Sequence, residues 1–475
     1  MIQICLLIFT LLFSQSVWSY SQKTFIDQLL SSHAFFEKEM INLKIKHIEM
    51  TGDRDNYSSW DWDIGAEFGR IHKNKYKYDY TSSTDYARST NQTVQKISSD
   101  LSKKFFSNGS EVNFSFDRSL PVKDEEMHDK NGYQTDKNTT EYLNDLSVSW
   151  TLPLLKNKDG IIDQKTYDLS VLDYEDEKLV LAEVQEDFVE DKVLEFIDWV
   201  GFKWQIGTVS KTIKRLENAR ISTPKSNARD KDTLARSIDK HQRLLLSFKS
   251  KLKAQNGLLL DSVKRLNFDQ DPPKLKHNFK INFINDLESY CQENIRDLKR
   301  IDLEMQKNSR YIKTYKNTKM PEFDFTISAT KDENKGNYTS YSKSSETDYE
   351  AKLVFSYPLS GDVSNQVYLD KYQLKARQIE LKYNNKLKDT LSDARKLDTD
   401  IKQGLVQLSL ISRQLALLKP NQELDLYLAG QGNVRFAIFE QDDYQELQLE
   451  KIGVLIDLHK NKLEYNSLLD RLLPE

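Results

Sequence analysis

Two periods alternate along this chain. In WDWDIGAEFGR, Trp60, Trp62, Ile64, Ala66 and Phe68 fall on one side, and Asp61, Asp63, Gly65, Glu67 and Gly69 on the other. LSVSWTL sets Leu146, Val148, Trp150 and Leu152 against Ser147, Ser149 and Thr151. In the second half, PEFDFTIS alternates Phe323, Phe325 and Ile327, and YEAKLVFSY alternates Tyr349, Ala351, Leu353, Phe355 and Tyr357. A period of two predicts strands of a sheet with one apolar and one polar face. A further run through Ile97, Leu101 and Phe105 leads to Ser107-Asn108-Gly109 and then to Val112, Phe114 and Phe116. Asn-Gly between alternating runs predicts a tight hairpin. KYKYDYTSSTDYARSTNQ and the stretch between Phe116 and LSVSW run long and polar and read as connecting loops.

Elsewhere the period is helical. Phe25, Leu29, Phe35, Phe36, Met40 and Leu43 predict a helix over 23–50. Residues 162–218 and 363–419 are rich in Glu, Lys, Asp, Leu and Gln with almost no Gly or Pro. As helices they would reach roughly 75–85 Å at 1.5 Å per residue. Shorter helices are expected at 232–268, 280–316 and 436–472, with turns at 221–230 (ISTPKSNARD) and 427–435 (YLAGQGNVR). The strand-to-helix corners LPLL and YPLSG carry Pro153 and Pro358, 205 positions apart (358 less 153). The same offset lays the second turn onto the first. The chain therefore reads as a tandem duplication in the α+β class: a first repeat over 20–275 with strands at about 58–155, and a second over 276–475 with strands at 322–358.

Composition narrows the function. Residues 1–19 have a short apolar core followed by small and polar residues, the pattern of a secretory signal peptide. That leaves Cys291 beyond it, so a disulfide framework within the chain is not expected. The net charge of −4 offers no basic footprint for nucleic acid. The 7 His are scattered, and no catalytic, nucleotide-binding or metal-ligand spacing occurs, so neither an enzyme nor a cofactor is expected. Pairs such as Glu125-Glu126 and Asp442-Asp443 sit in charge-dense stretches, where a solvated face explains them.

Tight turns at one end, long connections at the other and aromatics near the strand ends are the pattern of an outer-membrane barrel. Trp60, Trp62, Trp150 and Phe355 are then lipid-facing. No stretch after the signal is apolar enough for a membrane helix, so the strands must close into a barrel to satisfy their backbones. One chain supplies too few for a wide pore, and oligomerisation follows. The competing reading is a soluble periplasmic adaptor or structural protein with helical hairpins, which needs no two-faced strands.

These residues resemble the TolC-like outer-membrane efflux proteins. The resemblance rests on the corners WTLPLL and FSYPLSG, similar to the family's Q-P-L-[FL]-x-G corner, on YLAGQGNVRFAIFEQDDYQELQLE, and on the ending KLEYNSLLDRL. It implies a homotrimer in the outer membrane whose strands share one barrel and whose helices form a long periplasmic tunnel. It also implies docking on a periplasmic adaptor (a membrane fusion protein) and an inner-membrane transporter. Pro224, Lys225, Tyr427, Gly430, Gly432 and Asn433 fall at the tip where the adaptor would dock, Gly430 and Gly432 permitting positive φ in the turn. Arg435, Glu440, Asp442 and Asp443 are gate candidates, because Phe436 and Phe439 stand where related channels place acidic residues. At the corners Pro153, Pro358 and Gly361 match, but Leu152 and Tyr357 replace the family's Gln, and Gly160 comes late. Family members have four barrel strands per chain; the hairpin at Asn108-Gly109 raises this to six here or lies outside the barrel.

Overall fold

The computed structural model describes residues 29, 34–79, 84–120, 122–129, 134–262, 272, 284–336, 343–357, 363–418 and 421–472. The signal-peptide region 1–19, the first residues of the expected helix 23–50, and the corner residues Pro358 and Gly361 lie outside them.

The chain folds as two compact units that cut across the two sequence repeats. One comprises residues 45–174 and 304–379, and it holds the sheet. The other comprises 1–44, 175–303 and 380–475, and its described elements are helices.

The sheet unit opens on the end of α1 (Ala34–Ser58). Seven antiparallel strands follow: β1 (Asp61–Asp79), β2 (Thr84–Phe105), β3 (Ser110–Ser119), β4 (Val122–Asp129), β5 (Gln134–Pro153), β6 (Glu322–Gly336) and β7 (Lys343–Ser356). They occupy six lanes in the order β1, β2, β3, β5, β6, β7, because β4 continues the β3 lane, pairing with β2 and β5. The two stretches read as polar loops are therefore strands. Lys75 to Asp79 and Thr84 to Gln92 extend β1 and β2, and β4 with the first half of β5 fills most of the other. Backbone ladders satisfy a strand whatever its side chains, so polar composition alone does not mark a loop. In β1 the alternation of Tyr76 and Tyr78 with Lys75, Lys77 and Asp79 was a legible strand signal.

The hairpin forms where expected. Gly109 takes φ 69° and donates to the Phe105 carbonyl at 2.9 Å, while the Asn108 side chain accepts from the Ser110 amide at 3.0 Å. Below the sheet, α2 (Lys165–Ser222), α5 (Arg296–Thr318) and α6 (Val363–Leu417) each send one end into this unit. A tyrosine stack joins them. Tyr311 and Tyr372 lie 4.5 Å apart, Tyr315 and Tyr368 5.3 Å, and the Lys165 ammonium sits 4.9 Å from the Tyr311 ring.

The helical unit takes the rest of α2 and α6, together with α3 (Ala228–Ser262), α4 (Leu287–Asn294), α7 (Gln422–Leu428) and α8 (Val434–Leu468). At 58 residues α2 spans about 87 Å. One apolar core gathers Val189, Val193, Phe196 and Val200 of α2 with Leu259 of α3 and Ile452 and Ile456 of α8. A second gathers Val209, Ile213 and Leu216 of α2 with Leu234, Ile238, Leu424, Val434 and Ala437. The helix expected over 280–316 is broken in two: Ile295 is extended (φ −65°, ψ 122°), which frees the Arg296 amide to donate to Asp470 Oδ2 at 2.5 Å.

Candidate functional site

Four places carry the chemistry of this chain: the two faces of the sheet, the strand-to-helix corner, the turns of the helical unit, and a buried charge cluster within that unit.

The ladder registers place each alternating run on a common face. Trp62 pairs with Leu101, Leu101 with Phe114, Phe114 with Val148, Val148 with Ala329 and Ala329 with Tyr349. One step nearer the corner, Val112 pairs with Trp150, Trp150 with Ile327 and Ile327 with Ala351. One apolar belt thus crosses all six lanes. Its side chains are open: Trp62 is 65% exposed, Ile64 67%, Phe68 76% and Phe355 64%. Trp60 is exposed too, whereas Trp150 is half-buried against Phe325, its ring edge-on at 6.3 Å. No other element of the described chain covers this belt, and unsupported apolar area of this extent marks an interaction or membrane surface.

The opposite face is polar and acidic. The row Asp117, Asp145, Asp332 and Glu346 puts four carboxylates directly opposite one another in adjacent lanes. The next row holds Asp63, Asp100 and Asp348 with Ser115, Ser147 and Thr330. Like charges directly opposed cost a sheet stability; Lys96, 3.0 Å from Asp117, offsets part of that cost, and water and counter-ions beside the row would offset the rest.

At the corner, Pro153 is buried and Leu154 donates to the Phe323 carbonyl at 2.7 Å. Asn157 (φ 62°) then turns the chain, accepting from the Ile162 amide at 2.9 Å and donating to Asp163 at 2.6 Å. The late Gly160 is explained here. A Cβ on it would lie 2.4 Å from the Phe106 carbonyl oxygen, and one on Gly109 would lie 2.5 Å from that of Asn157. The hairpin turn and the corner pack backbone to backbone. Arg310 of α5 ties in the start of α2 through Asp168 at 2.7 Å.

The two turns of the helical unit, around 223–227 and 429–433, meet each other. Tyr427 is buried, its hydroxyl 3.1 Å from Thr223 Oγ1 and 3.4 Å from Asp230 Oδ2. It pins the 223–227 turn to α7 from a buried position. Gly430 (φ 77°) closes α7 in a Schellman motif, with Gly430 donating to Tyr427 at 3.0 Å and Gln431 to Leu426 at 2.9 Å. Gly432, expected at positive φ, is not there. It is required by approach, since a Cβ would lie 2.7 Å from the Tyr427 nitrogen. Asn433 caps α8 by accepting from the Arg435 amide at 2.8 Å. Pro224, Lys225, Gly430, Gly432 and Asn433 are exposed.

Among the gate candidates, Asp442 is held by Lys240 at 2.9 Å and His241 at 2.8 Å. Burial alone would raise its carboxyl, but these bonds outweigh it and leave it below the ordinary range. Glu440 accepts from the Glu423 amide at 3.1 Å. Arg435 is exposed beside Phe436 and Phe439, themselves 63% and 64% exposed.

Sequence reasoning missed a buried charge cluster between α2, α5 and the chain end. Arg296, 2% exposed, hydrogen-bonds Glu186 and faces Asp470 at 3.6 Å and Glu183 at 3.8 Å. Burial, with Asp470, Asp297 and Asp187 nearby, pushes Glu183 up to about 7. Burial likewise pushes Glu186 up to about 7, against the pull of Arg296. A cavity of about 370 Å³ lies alongside, lined by Glu183, Asp187, Glu190, Asp297, Lys386 and Asp470. The signal was isolated charged residues inside helical stretches, which a single sequence does not distinguish from a solvated face. Among the described residues, no set of three or more His, Cys, Asp or Glu is arranged to hold a metal, and no helix is long and apolar enough to cross a membrane.

No family model and no curated protein sequence matches this chain. Solved structures do. CusC, described through conformational changes accompanying folding and transmembrane channel formation, aligns over 94% of this chain and 91% of its own at 11% identity, with a TM-score of 0.61. The outer-membrane channel OprN aligns over 94% and 89% at 10% identity and a TM-score of 0.61. The open-state MtrE outer membrane channel of Neisseria gonorrhoeae aligns over 96% and 91% at 10% identity and a TM-score of 0.58. These neighbours are channel proteins, and they cover the sheet and the helices alike. The chain has the TolC-like fold of the outer-membrane channels.

Proposed function

We propose that this chain is one protomer of a homotrimeric channel-tunnel in the outer membrane, the exit duct of a tripartite efflux pump or a type I secretion system. The observation that carries the proposal is the sheet: six lanes with one continuous exposed apolar face, one acidic face and, among the described residues, an unpaired edge on both β1 and β7. A barrel requires such strands, with apolar residues outward to lipid and polar ones inward to water. Three copies joined edge to edge would remove every unpaired edge. The long helices would line a periplasmic tunnel, and the turns around Pro224, Lys225, Gly430, Gly432 and Asn433 would meet a periplasmic adaptor bound to an inner-membrane transporter. Arg435, Glu440 and Asp443 would stand near the entrance, with Asp442 bracing neighbouring helices. The duct has no chemistry of its own; energy and cargo selection belong to the partners.

A soluble adaptor with helical hairpins is the competing reading. It would leave the belt of Trp62, Ile64, Phe68 and Phe355 in water, a large apolar surface with no purpose. The test is reconstitution of the purified full chain into planar bilayers. Discrete conductance steps support the duct, and bilayers that stay silent under every applied voltage and salt condition contradict it.

A further inference from the structure

Resting on that reading, we infer that the barrel is built from six lanes per copy, eighteen in the trimer, and that the first repeat carries an inserted hairpin that widens the pore for bulky cargo. The 205-residue offset (358 less 153) locates the insertion. It lays β7 (343–356) onto 138–151, most of β5, and β6 (322–336) onto 117–131, the end of β3 and the whole of β4. Nothing in the second repeat corresponds to β1 and β2, because α5 ends at Thr318 and β6 begins at Glu322. In the first repeat α1 ends at Ser58, and β1 with β2 intervenes before β3.

The inserted hairpin is wall. β1 and β2 are joined by an unbroken register of nineteen pairs from Asp61–Ser102 to Asp79–Thr84. β2 is joined in turn to β3 by ten, from Lys96–Ser119 to Phe105–Ser110. The two-faced pattern continues without a step. On the apolar side Trp62, Ile64 and Phe68 of β1 and Ile97 and Leu101 of β2 extend the belt of β3 and β5. On the other side Asp63 and Asp100 extend the acidic face. Ile64, Phe68 and Ile97 are 67%, 76% and 51% exposed. A hairpin outside the barrel would have no use for an apolar side continuous with the lipid-facing one. Backbone contact of its turn partner with the corner, through Gly109 and Gly160, fixes the β2–β3 hairpin over the start of α2.

The consequence is width. Strands about 4.8 Å apart and tilted about 40° each take about 6 Å of circumference, so eighteen lanes give a backbone diameter of about 36 Å and twelve about 24 Å. The wider lumen would leave a bulky solute more clearance than a twelve-lane barrel does. The edge partners become β1 of one copy and β7 of the next.

The deciding experiment is electron cryomicroscopy of the full-length particle in detergent, viewed down its axis, with thiol labelling in native membranes. Eighteen lanes at about 36 Å support the inference. In a Cys291→Ser background, Ser98→Cys should then react with a membrane-impermeant maleimide once the lumen is open, and Ile97→Cys should react only with a lipid-soluble one. A twelve-lane trimer, with both positions open to the impermeant reagent, would overturn it while leaving the duct intact. A particle with no barrel at all would overturn the duct, and the lane count with it.

Discussion

Phe114→Arg tests the orientation of the sheet where it matters most, in a lane beside the extra hairpin. Phe114 lies in the belt between Leu101 and Val148, with the Trp60 ring 6.0 Å away. If that belt faces lipid, an arginine near the bilayer midplane costs roughly 2–4 kcal/mol per copy. At 1.4 kcal/mol per tenfold, this is roughly thirty-fold to several hundred-fold in the assembly equilibrium per copy, and three copies compound it. The neighbouring Asn113→Arg is the control, since Asn113 lies on the polar face between Ser102 and Ser149. It should cost under about 1 kcal/mol, the size of an ordinary surface change. The assay is the yield of folded, heat-modifiable oligomer in outer-membrane fractions, with refolding into vesicles under urea titration as the quantitative arm. The expected result is near loss of oligomer for Phe114→Arg and near-normal yield for Asn113→Arg. Equal yields, or the reverse order, would refute the assignment of faces.

Three further outcomes are expected. Gly432→Ala drives a Cβ against the Tyr427 backbone and should cost roughly 1–3 kcal/mol; limited trypsin digestion should then cut near Lys225 and Arg435 while the sheet stays protected, and an unchanged pattern would contradict the packing of the turns. Glu183, pushed up to about 7 from 4.5, holds its proton more tightly folded than unfolded, so its protonation favours the fold at acid pH, and that gain is lost as pH rises from 4.5 through 7. Glu183→Gln should therefore raise the melting temperature at pH 8, by up to about 3 kcal/mol of stability, and leave it near the parent's at pH 5; parallel shifts at both pH values would refute the cause given. Finally, the acidic face of Asp117, Asp145 and Asp332 should make the open pore cation-preferring, and Asp145→Asn with Asp332→Asn should move the reversal potential in a salt gradient toward zero.

What the sequence disclosed depended on where the two faces of an element differ in polarity. The strands around Trp62, Phe114, Val148, Ile327 and Leu353 were legible because one face is apolar and the other polar, and the ladders place each alternating run on one face. In β4, where both faces are polar, the same ladder left no trace in composition, whereas in KYKYDY the alternation of Tyr76 and Tyr78 with charged residues was present but outweighed by the polar surroundings. Asn108-Gly109 marked its turn because few other pairs accept that geometry. Gly432 was singled out for the wrong reason, since what excludes a side chain there is the Tyr427 backbone, brought close only by the fold of the turn. Arg296 and Glu186 went unnoticed because a paired buried charge and a solvated one look alike in one sequence. The aromatic stack of Tyr311, Tyr315, Tyr368 and Tyr372 joins residues of α5 and α6, so periodicity within either helix could not reveal it.

The central claim is that several copies of this chain form one barrel in a membrane. It is tested most directly by the mass and location of the native particle: membranes separated by density, the outer fraction extracted with mild detergent, and the species carrying this chain weighed. The account predicts a trimer, about three times the 55.6 kDa of the full sequence or slightly less after processing, in the outer-membrane fraction. A monomer or dimer in the soluble periplasm would contradict it.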